Sequence, residues 1–221
     1  MNGAHDLGGC HGLGPINPEA EKHEPIFHAE WEKRALGLTL CAGFLGQWNI
    51  DISRHARERQ HPVAYLSNSY YETWLAGLET LLLERGIVTA EELHSGQSNG
   101  HAPEELCERR VTPGQVPGIL AKGGPADLAS DSPRQFNIGD RVRVILFNPA
   151  GHTRVPRYVR GQKGIITDYH GSHVFPDESA KGNRIGQHLY NVAFAGADLW
   201  GAGNDSTIQV DLWQDYLLPL D

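Results

Sequence analysis

Apolar residues recur at two different spacings along the chain, and these spacings predict where helices and strands lie. Between residues 28 and 94 they recur every three or four positions, which predicts helices. The clearest helix begins after Ser69, with Glu72 completing a capping box, and Gly86 predicts its end. One face of this helix carries an apolar stripe, namely Tyr71, Trp74, Leu75, Leu78, Leu81 and Leu82.

A second predicted helix runs from Ile50 to Gln60 and is far more polar. Burial within its own domain does not account for so polar a helix. Arg54 and Glu58 stand one turn apart and can pair, which would hold the guanidinium in one orientation. The helix is therefore either a solvated charged face or a surface that presents arginine to an anionic group on a partner. Guanidinium suits the second task because its planar fork binds two oxygens.

From Phe136 onward apolar and polar residues alternate, which predicts short antiparallel strands. The alternating segments are residues 141–147, 164–166, 189–194 and 208–212. Residues typical of turns separate them, at Asn148-Pro149, Gly161, Gly171 and Gly201. Four or five such strands in about 85 residues predict a small barrel of the SH3-like type.

Two further segments show neither the helical nor the strand spacing of apolar residues. Residues 1–27, rich in glycine and proline, cannot close a core, so they form either a disordered tail or an extended arm laid on a partner. Residues 95–135 are rich in Gly, Ser, Pro and Asp and predict a linker. The predicted fold class is α+β, with an extended N-terminal arm (1–27), a helical domain (28–94), the linker, and a C-terminal SH3-like antiparallel β-barrel (136–221).

Composition and charge exclude several classes of protein. The 221 residues carry a formal net charge of −8, which argues against nucleic-acid binding because neutralising phosphates needs an excess of Lys and Arg. An apolar run of about 18 residues is missing, so no membrane-spanning helix is predicted. The first residues lack the pattern of a secretory signal. Three cysteines without a CxxC pair indicate a reducing compartment, and the chain is expected to be cytoplasmic.

Few side chains carry recognisable chemistry of their own. A nucleophile elbow, a phosphate-binding glycine loop and an HExxH motif are all missing, so the chain is not expected to be an enzyme by itself. The nearest approach to a metal cluster is His5, Asp6, Cys10 and His11. Because a glycine-rich segment gives a metal no rigid support, no metal site is predicted. A basic loop at residues 151–161, stiffened by prolines, favours a binding role.

Five blocks of sequence, taken in order, resemble the beta subunit of nitrile hydratases. They are MNGAHDLGG at residues 1–9, FHAEWE at 27–32, SYYETW at 69–74, GHTRVPRYVRG at 151–161 and DLWQDYL at 211–217. The resemblance covers nearly the whole chain, and residues 95–135 are its weakest part. Five ordered blocks in separate segments are far more specific than any single motif.

The resemblance implies a subunit without a reactive centre of its own. Nitrile hydratases add water to a nitrile to give an amide, and their Co(III) or Fe(III) sits in the alpha subunit, on cysteines of which two are oxidised. The implied partner is that alpha subunit, in a heterodimer that pairs into an (αβ)2 heterotetramer, with the N-terminal arm wrapping the alpha subunit. Trp74 leans toward the cobalt-type branch of the family.

The resemblance also assigns roles to residues of this chain. Arg54 and Arg154 match the two arginines that hydrogen-bond the oxidised cysteine oxygens, and Tyr70 matches a tyrosine that reaches the active-site cavity. The pocket lining is assigned to Ile50 and Trp74, and support of the arginines to Glu58 and His152.

Two positions depart from the family pattern. Thr73 stands where many relatives carry histidine or arginine, so a proton relay through this position is doubtful. Gln60 replaces the more usual methionine, and packing at the end of the polar helix is therefore expected to differ.

Two other interpretations compete with this one. Subunits of thiocyanate hydrolase are related, but their beta-like sequence is split across two polypeptides, and an undivided chain argues against that identity. A non-catalytic scaffold or metal-delivery protein would resemble the barrel half. Such a protein would lack the N-terminal block, the Arg54 helix and the Tyr70-Tyr71 block together, and all three are present.

Overall fold

The computed structural model describes residues 1–220, and their contacts separate them into two compact units. The helical unit comprises Gly12–Gly124. The β unit comprises Met1–His11 together with the chain from Pro125 onward. Residues 12–27 begin the helical unit without a helix or strand, and nearly all of them are exposed. The predicted arm of residues 1–27 is therefore shared between the two units.

Helices alone make up the regular structure of the helical unit in the described chain. They are α1 (Glu30–Phe44), α2 (Ile50–Glu58), α3 (Pro62–Ser67), α4 (Tyr70–Glu84), α5 (Ala90–Ser95), α6 (Glu104–Glu108) and α7 (Val116–Lys122). The last two are short and fall within the predicted linker. None of the helices within residues 1–220 is both long and apolar enough to cross a bilayer.

Local capping sets both ends of α4. Glu72 accepts the backbone N–H of Ser69 at 2.7 Å, as a capping box requires. At the other end, Gly86 has φ +62°, and its N–H donates to the carbonyl of Leu83. The N–H of Ile87 reaches back to the carbonyl of Leu82. This pair of bonds is a Schellman motif, which confirms the predicted helix end.

Close packing holds α2 against α4. Gly77 lies at the crossing, where an added Cβ would stand 2.6 Å from Cγ of Arg57. Nearby, Arg59 makes two hydrogen bonds to Glu84, at 2.6 and 2.7 Å, and this bonding lowers the pKa of the glutamate. The buried apolar residues of this unit are few and small to medium in size, namely Ala35, Ala56, Leu78 and Leu81. Helix packing in this unit therefore depends on a glycine contact and an ion pair as well as on apolar burial.

The β unit contains a five-stranded antiparallel sheet, so the chain combines helices and an antiparallel sheet as the predicted α+β class requires. The strands are β1 (Arg141–Val144), β2 (Lys163–Val174), β3 (Gly186–Ala195), β4 (Thr207–Trp213) and β5 (Leu217–Pro219). They pair in the order β4-β3-β2-β1-β5. Two short helices follow β2 and β3, namely α8 (Pro176–Ser179) and α9 (Gly196–Trp200). The inner face packs around thirteen buried residues that include Val142, Tyr190, Phe194 and Tyr216.

One predicted turn is wrong. Gly171 does not end a strand, because β2 continues through it and pairs with β3 as far as Val174. The register of this pairing shifts between Tyr169 and Ser172, and Gly171 adopts φ +87° within the irregular stretch. A glycine with positive φ is typical of both a turn and a β-bulge, so local sequence does not separate the two.

The final part of the predicted linker belongs to the β unit. The N–H of Leu128 donates to the carbonyl of Ser172 at 3.1 Å, and Asp127 forms a bridge with His173. Further along, the carbonyls of Ser132 and Pro133 accept from His188 and Gln214. Residues 125–135 therefore lie along the sheet as a strap, because their backbone groups find partners there.

Gly186, the first residue of β3, is expected to tolerate no side chain. A Cβ there would overlap the backbone carbonyl of Ala129 on the strap. We expect Gly186→Ala to lower the free energy of unfolding by about 2–3 kcal/mol, because the strap must move off the sheet. Urea denaturation measures this value. Gly151→Ala, with no atom within 4 Å of the added Cβ, serves as the control and is expected to change it by less than about 0.5 kcal/mol.

Candidate functional site

Arg54 lies in the middle of α2, and its guanidinium is oriented by a neighbour on the same helix. Asn49 caps α2 by accepting the N–H groups of Asp51 and Ile52, at 3.1 and 2.9 Å. The buried carboxylate of Asp51 accepts from Nη1 of Arg54 at 3.0 Å. The ion-pair partner of Arg54 is thus Asp51, one turn before it, and not Glu58, one turn after it, which the helical spacing also allowed.

A pocket of about 510 Å³ opens beside Arg54 in the helical unit. Its lining combines charged, hydroxyl and aromatic side chains: Arg54, Arg57, Glu58, Tyr65, Asn68, Tyr70, Thr73 and Trp74. Four of the residues singled out from the sequence are thereby brought together, namely Arg54, Glu58, Tyr70 and Trp74. Ile50, the first residue of α2, is outside this lining and is 57% exposed.

Aromatic rings form one wall of the pocket. Tyr70 lies between Tyr71 and Trp74, with ring centroids 5.1 and 5.5 Å away, and Phe27 extends the cluster beyond Tyr71 at 5.8 Å. Tyr70 is 66% exposed although it belongs to this cluster. An exposed tyrosine at the first position of a helix is available for contact with another molecule.

Arg57 is a pocket residue that was not singled out from the sequence. Its guanidinium carbon lies 4.0 Å from the centroid of the Trp74 ring, and Nη2 donates to Oγ of Ser53 at 3.2 Å. Burial lowers the pKa of Arg57. A usable signal was present, because Arg57 follows Arg54 by three residues and so lies on the same face of α2.

Gln60 ties together the helices that surround the pocket. Its amide nitrogen donates to the carbonyls of Arg57 and Thr73, each at 3.0 Å, while its oxygen accepts from Asn68 at 3.2 Å. Packing at this position is therefore polar. Such a network suits glutamine, which offers donors and an acceptor on one side chain.

Arg154 lies in the β unit, on the loop between β1 and β2. It is exposed, whereas its neighbours Thr153 and Val155 are buried. Thr153 donates its hydroxyl to that of Tyr216 at 3.3 Å, and Tyr216 in turn donates to the carboxyl of Asp177. Burial raises the pKa of Asp177. The side chain of Thr153 is anchored in this way, next to the exposed Arg154. His152, two residues before it, is buried.

The first residues of the chain brace the same loop. Asp6 is buried, and its carboxylate accepts the backbone N–H of Arg157 at 2.9 Å. The same carboxylate lies 3.7 Å from the guanidinium of Arg160, whose Nη2 also donates to the carbonyl of Val155 at 2.8 Å. Asn2 accepts a further hydrogen bond from Arg160. Asp6 is thus engaged by arginines.

This chain is similar to known proteins along nearly its whole length. Two family models match the chain: the N-terminal domain of the nitrile hydratase beta subunit over residues 1–116, and the C-terminal domain of that subunit over residues 125–219. The nitrile hydratase subunit beta of Pseudomonas putida is 41% identical over 99% of this chain and 100% of its own length. The cobalt-containing nitrile hydratase subunit beta of Pseudonocardia thermophila is 37% identical over 100% of this chain and 97% of its own.

A more distant similarity concerns one of the competing interpretations. The thiocyanate hydrolase subunit alpha of Thiobacillus thioparus is 31% identical over 88 residues, which is 38% of this chain and 70% of that subunit. This match is partial, whereas the two preceding relatives align along essentially their full length.

Proposed function

The chain belongs to the nitrile hydratase beta subunit family, and on this premise we propose that Arg54, Arg154 and Tyr70 form its side of the active site. Nitrile hydratase is a hydro-lyase that converts nitriles to amides. As a beta subunit, this chain acts in a complex with an alpha subunit. The residues that act within that complex are the subject of the proposal.

Arg54 is the group we expect to hold an oxidised cysteine oxygen of the partner. The observation that carries this role is its bond to Asp51, which fixes the guanidinium while engaging only one of its five N–H donors. Within residues 1–220, the other donors of Arg54 have no hydrogen-bond partner. A charge-assisted hydrogen bond to an oxygen anion contributes about 1.5–3 kcal/mol.

Arg154 is the second arginine assigned to these oxygens. Support comes from its exposure between two buried neighbours, which directs the guanidinium away from the β unit. Its loop is braced by Tyr216 and Asp6, so the side chain projects from a rigid base. Preorganised donors are more effective than mobile ones because less side-chain freedom is lost on binding.

The remaining roles concern the substrate and the support of the arginines. We assign Tyr70 to contact with the reacting groups, and Trp74 and Ile50 to the lining of the substrate pocket. Glu58 and His152 are assigned to support of the arginines. The pocket beside Arg54, whose wall is aromatic, supports the assignment of Tyr70 and Trp74. The exposed position of Ile50 on α2 suits a residue that meets a substrate or a partner chain.

The metal belongs to the alpha subunit in this proposal. Two relatives are named as cobalt-containing, which favours Co(III) over Fe(III). When bound, such an ion acts as a Lewis acid on water or on the nitrile. The arginines of this chain suit the oxygens of its oxidised cysteine ligands, because a guanidinium stays protonated and binds two oxygens together. The assembly we propose is an αβ heterodimer that pairs into an (αβ)2 heterotetramer.

Three features of the architecture complete the proposal. The antiparallel sheet of the β unit is assigned to an SH3-like barrel, supported by the single buried cluster that its strands share and by the irregular register of β2. Residues 1–27 are assigned to an arm that meets the alpha subunit, and the exposure of residues 12–27 supports this. The sequence also proposes a helical domain at 28–94, a linker at 95–135 and a β domain at 136–221, and of this linker residues 125–135 group with the β unit.

The test compares the chain purified with and without its alpha subunit. Bound metal and amide formation from a nitrile are measured in both samples. We expect metal and activity in the complex, and neither in the isolated chain. Stoichiometric metal on the isolated chain would overturn the proposed division between the subunits.

A further inference from the structure

A second arginine of the pocket, Arg57, has no role in the mechanism outlined above. Its guanidinium is stacked 4.0 Å from the centroid of the Trp74 ring and bonded to Oγ of Ser53. These contacts hold the group in one place and leave most of its N–H donors without a hydrogen-bond partner in the described chain. A planar guanidinium held in this way is a suitable receptor for a carboxylate.

The charge of Arg57 is not neutralised by a neighbour. Among residues 1–220, no carboxylate lies within ion-pair distance of its guanidinium. The other charged groups of the pocket lining are Arg54 and Glu58. Arg54 is paired with Asp51, and a carboxylate oxygen of Glu58 lies 3.8 Å from Nδ1 of His55. A partly buried cation without a counter-ion carries a desolvation cost, which an incoming anion relieves.

Helix α4 provides the space that Arg57 needs. Gly77 contacts the stem of Arg57, and a Cβ at Gly77 would stand 2.6 Å from its Cγ. The carbonyl of Arg57 also accepts from Gln60, which fixes the backbone at the same point. The position of Arg57 is therefore built into the packing of α2 against α4.

We propose that Arg57 binds the carboxylate of nitriles that carry one, so that this enzyme accepts ω-cyano carboxylates in addition to neutral nitriles. The inference rests on the proposed function, because it takes the pocket beside Arg54 as the substrate pocket. Residues three apart on a helix have Cβ atoms roughly 5–6 Å apart, which suits a substrate with a short chain between its two functional groups. Water adds across the nitrile to give the amide, and the carboxylate takes no part in the reaction.

The experiment uses the metal-loaded complex with the alpha subunit and two matched substrates, 4-cyanobutanoate and its neutral methyl ester. The ratio of their kcat/KM values is compared between the unaltered enzyme and Arg57→Gln. Because both substrates enter the same pocket, the ratio cancels any loss of packing or folding that the variant shares between them. We expect the ratio of anionic to neutral substrate to fall about tenfold, mainly through KM of the anion.

Two further variants separate position from charge. Arg85→Gln removes the same charge from an exposed residue at the end of α4 and is expected to leave the ratio unchanged. Arg57→Lys keeps the charge without the fork and is expected to give an intermediate ratio. If Arg85→Gln lowers the ratio as much as Arg57→Gln does, the inference is contradicted. The effect would then be long-range electrostatic attraction of the anion and not binding by Arg57.

The possible failures are distinguishable. An unchanged ratio in Arg57→Gln, or an unaltered enzyme that hydrates the ester but not the anion, overturns the inference and leaves the proposed function intact. An assembled, metal-loaded complex that hydrates neither substrate contradicts the proposed function, and the inference falls with it.

Discussion

Replacing Arg54 by lysine is expected to lower turnover of a neutral nitrile about ten- to hundredfold while the heterodimer still assembles. Lysine keeps the positive charge but loses the planar fork that binds an oxygen while also bonded to Asp51. The loss of one charge-assisted hydrogen bond, about 1.5–3 kcal/mol, corresponds to this range in rate. Steady-state kinetics of the purified complex gives kcat, and size-exclusion chromatography with metal analysis reports assembly.

Arg34→Lys is the matched control for this experiment. Arg34 is an exposed arginine on α1 of the same unit, and we expect its variant to keep kcat within about twofold. Full activity in Arg54→Lys would remove the role assigned to Arg54. A complex that loses its metal or fails to form would instead show that Arg54 serves assembly.

Replacing Asp6 by alanine is expected to lower the free energy of unfolding by about 3 kcal/mol. The carboxylate of Asp6 is buried, accepts from the backbone of Arg157 and faces Arg160, whose side chain is 3% exposed. Removing one partner leaves a buried charge uncompensated, which is among the largest effects of a single substitution. Urea denaturation measures the change. Turnover is expected to fall as well, because the loop that carries Arg154 loses its brace.

Two further variants separate the effect of the Asp6 charge from the effect of its hydrogen bond and from the loss of a surface charge. Asp6→Asn keeps an acceptor for the N–H of Arg157 but removes the charge, and is expected to lie between the unaltered protein and Asp6→Ala. Asp205→Ala removes an exposed carboxylate from the same unit and is expected to cost less than about 0.5 kcal/mol. Equal stability of Asp6→Ala and Asp205→Ala would show that the contacts of Asp6 contribute nothing to folding.

Local sequence signals predicted much of the helical unit. The capping box at Ser69 and the helix end at Gly86 are confirmed, because each depends on residues within one or two turns of each other. The predicted start of polar α2 at Ile50 is confirmed, whereas the ion pair of Arg54 is with Asp51 and not with Glu58. Several carboxylates within reach of one arginine compete, and side-chain packing decides between them.

Local sequence patterns did not predict which distant segments of the chain pair with each other. The continuation of β2 through Gly171 depends on β3, since a glycine with positive φ suits a bulge as well as a turn. The same holds for the strap at residues 125–135, whose hydrogen bonds are to β2, to His188 on β3 and to Gln214. From composition alone, these residues were predicted only to be part of a linker.

The candidate site divides in the same way. Residue types and the order of the motifs indicated that Arg54, Arg154, Tyr70 and Trp74 are candidate site residues. The sequence sufficed for this because the chemistry of a side chain is set by its residue type. Tertiary structure alone decided that Arg57 stacks on Trp74, and that Asp6 faces arginines some 150 residues away along the chain. Such contacts depend on which surfaces the fold brings together, and spacing along a chain carries no information about distances across it.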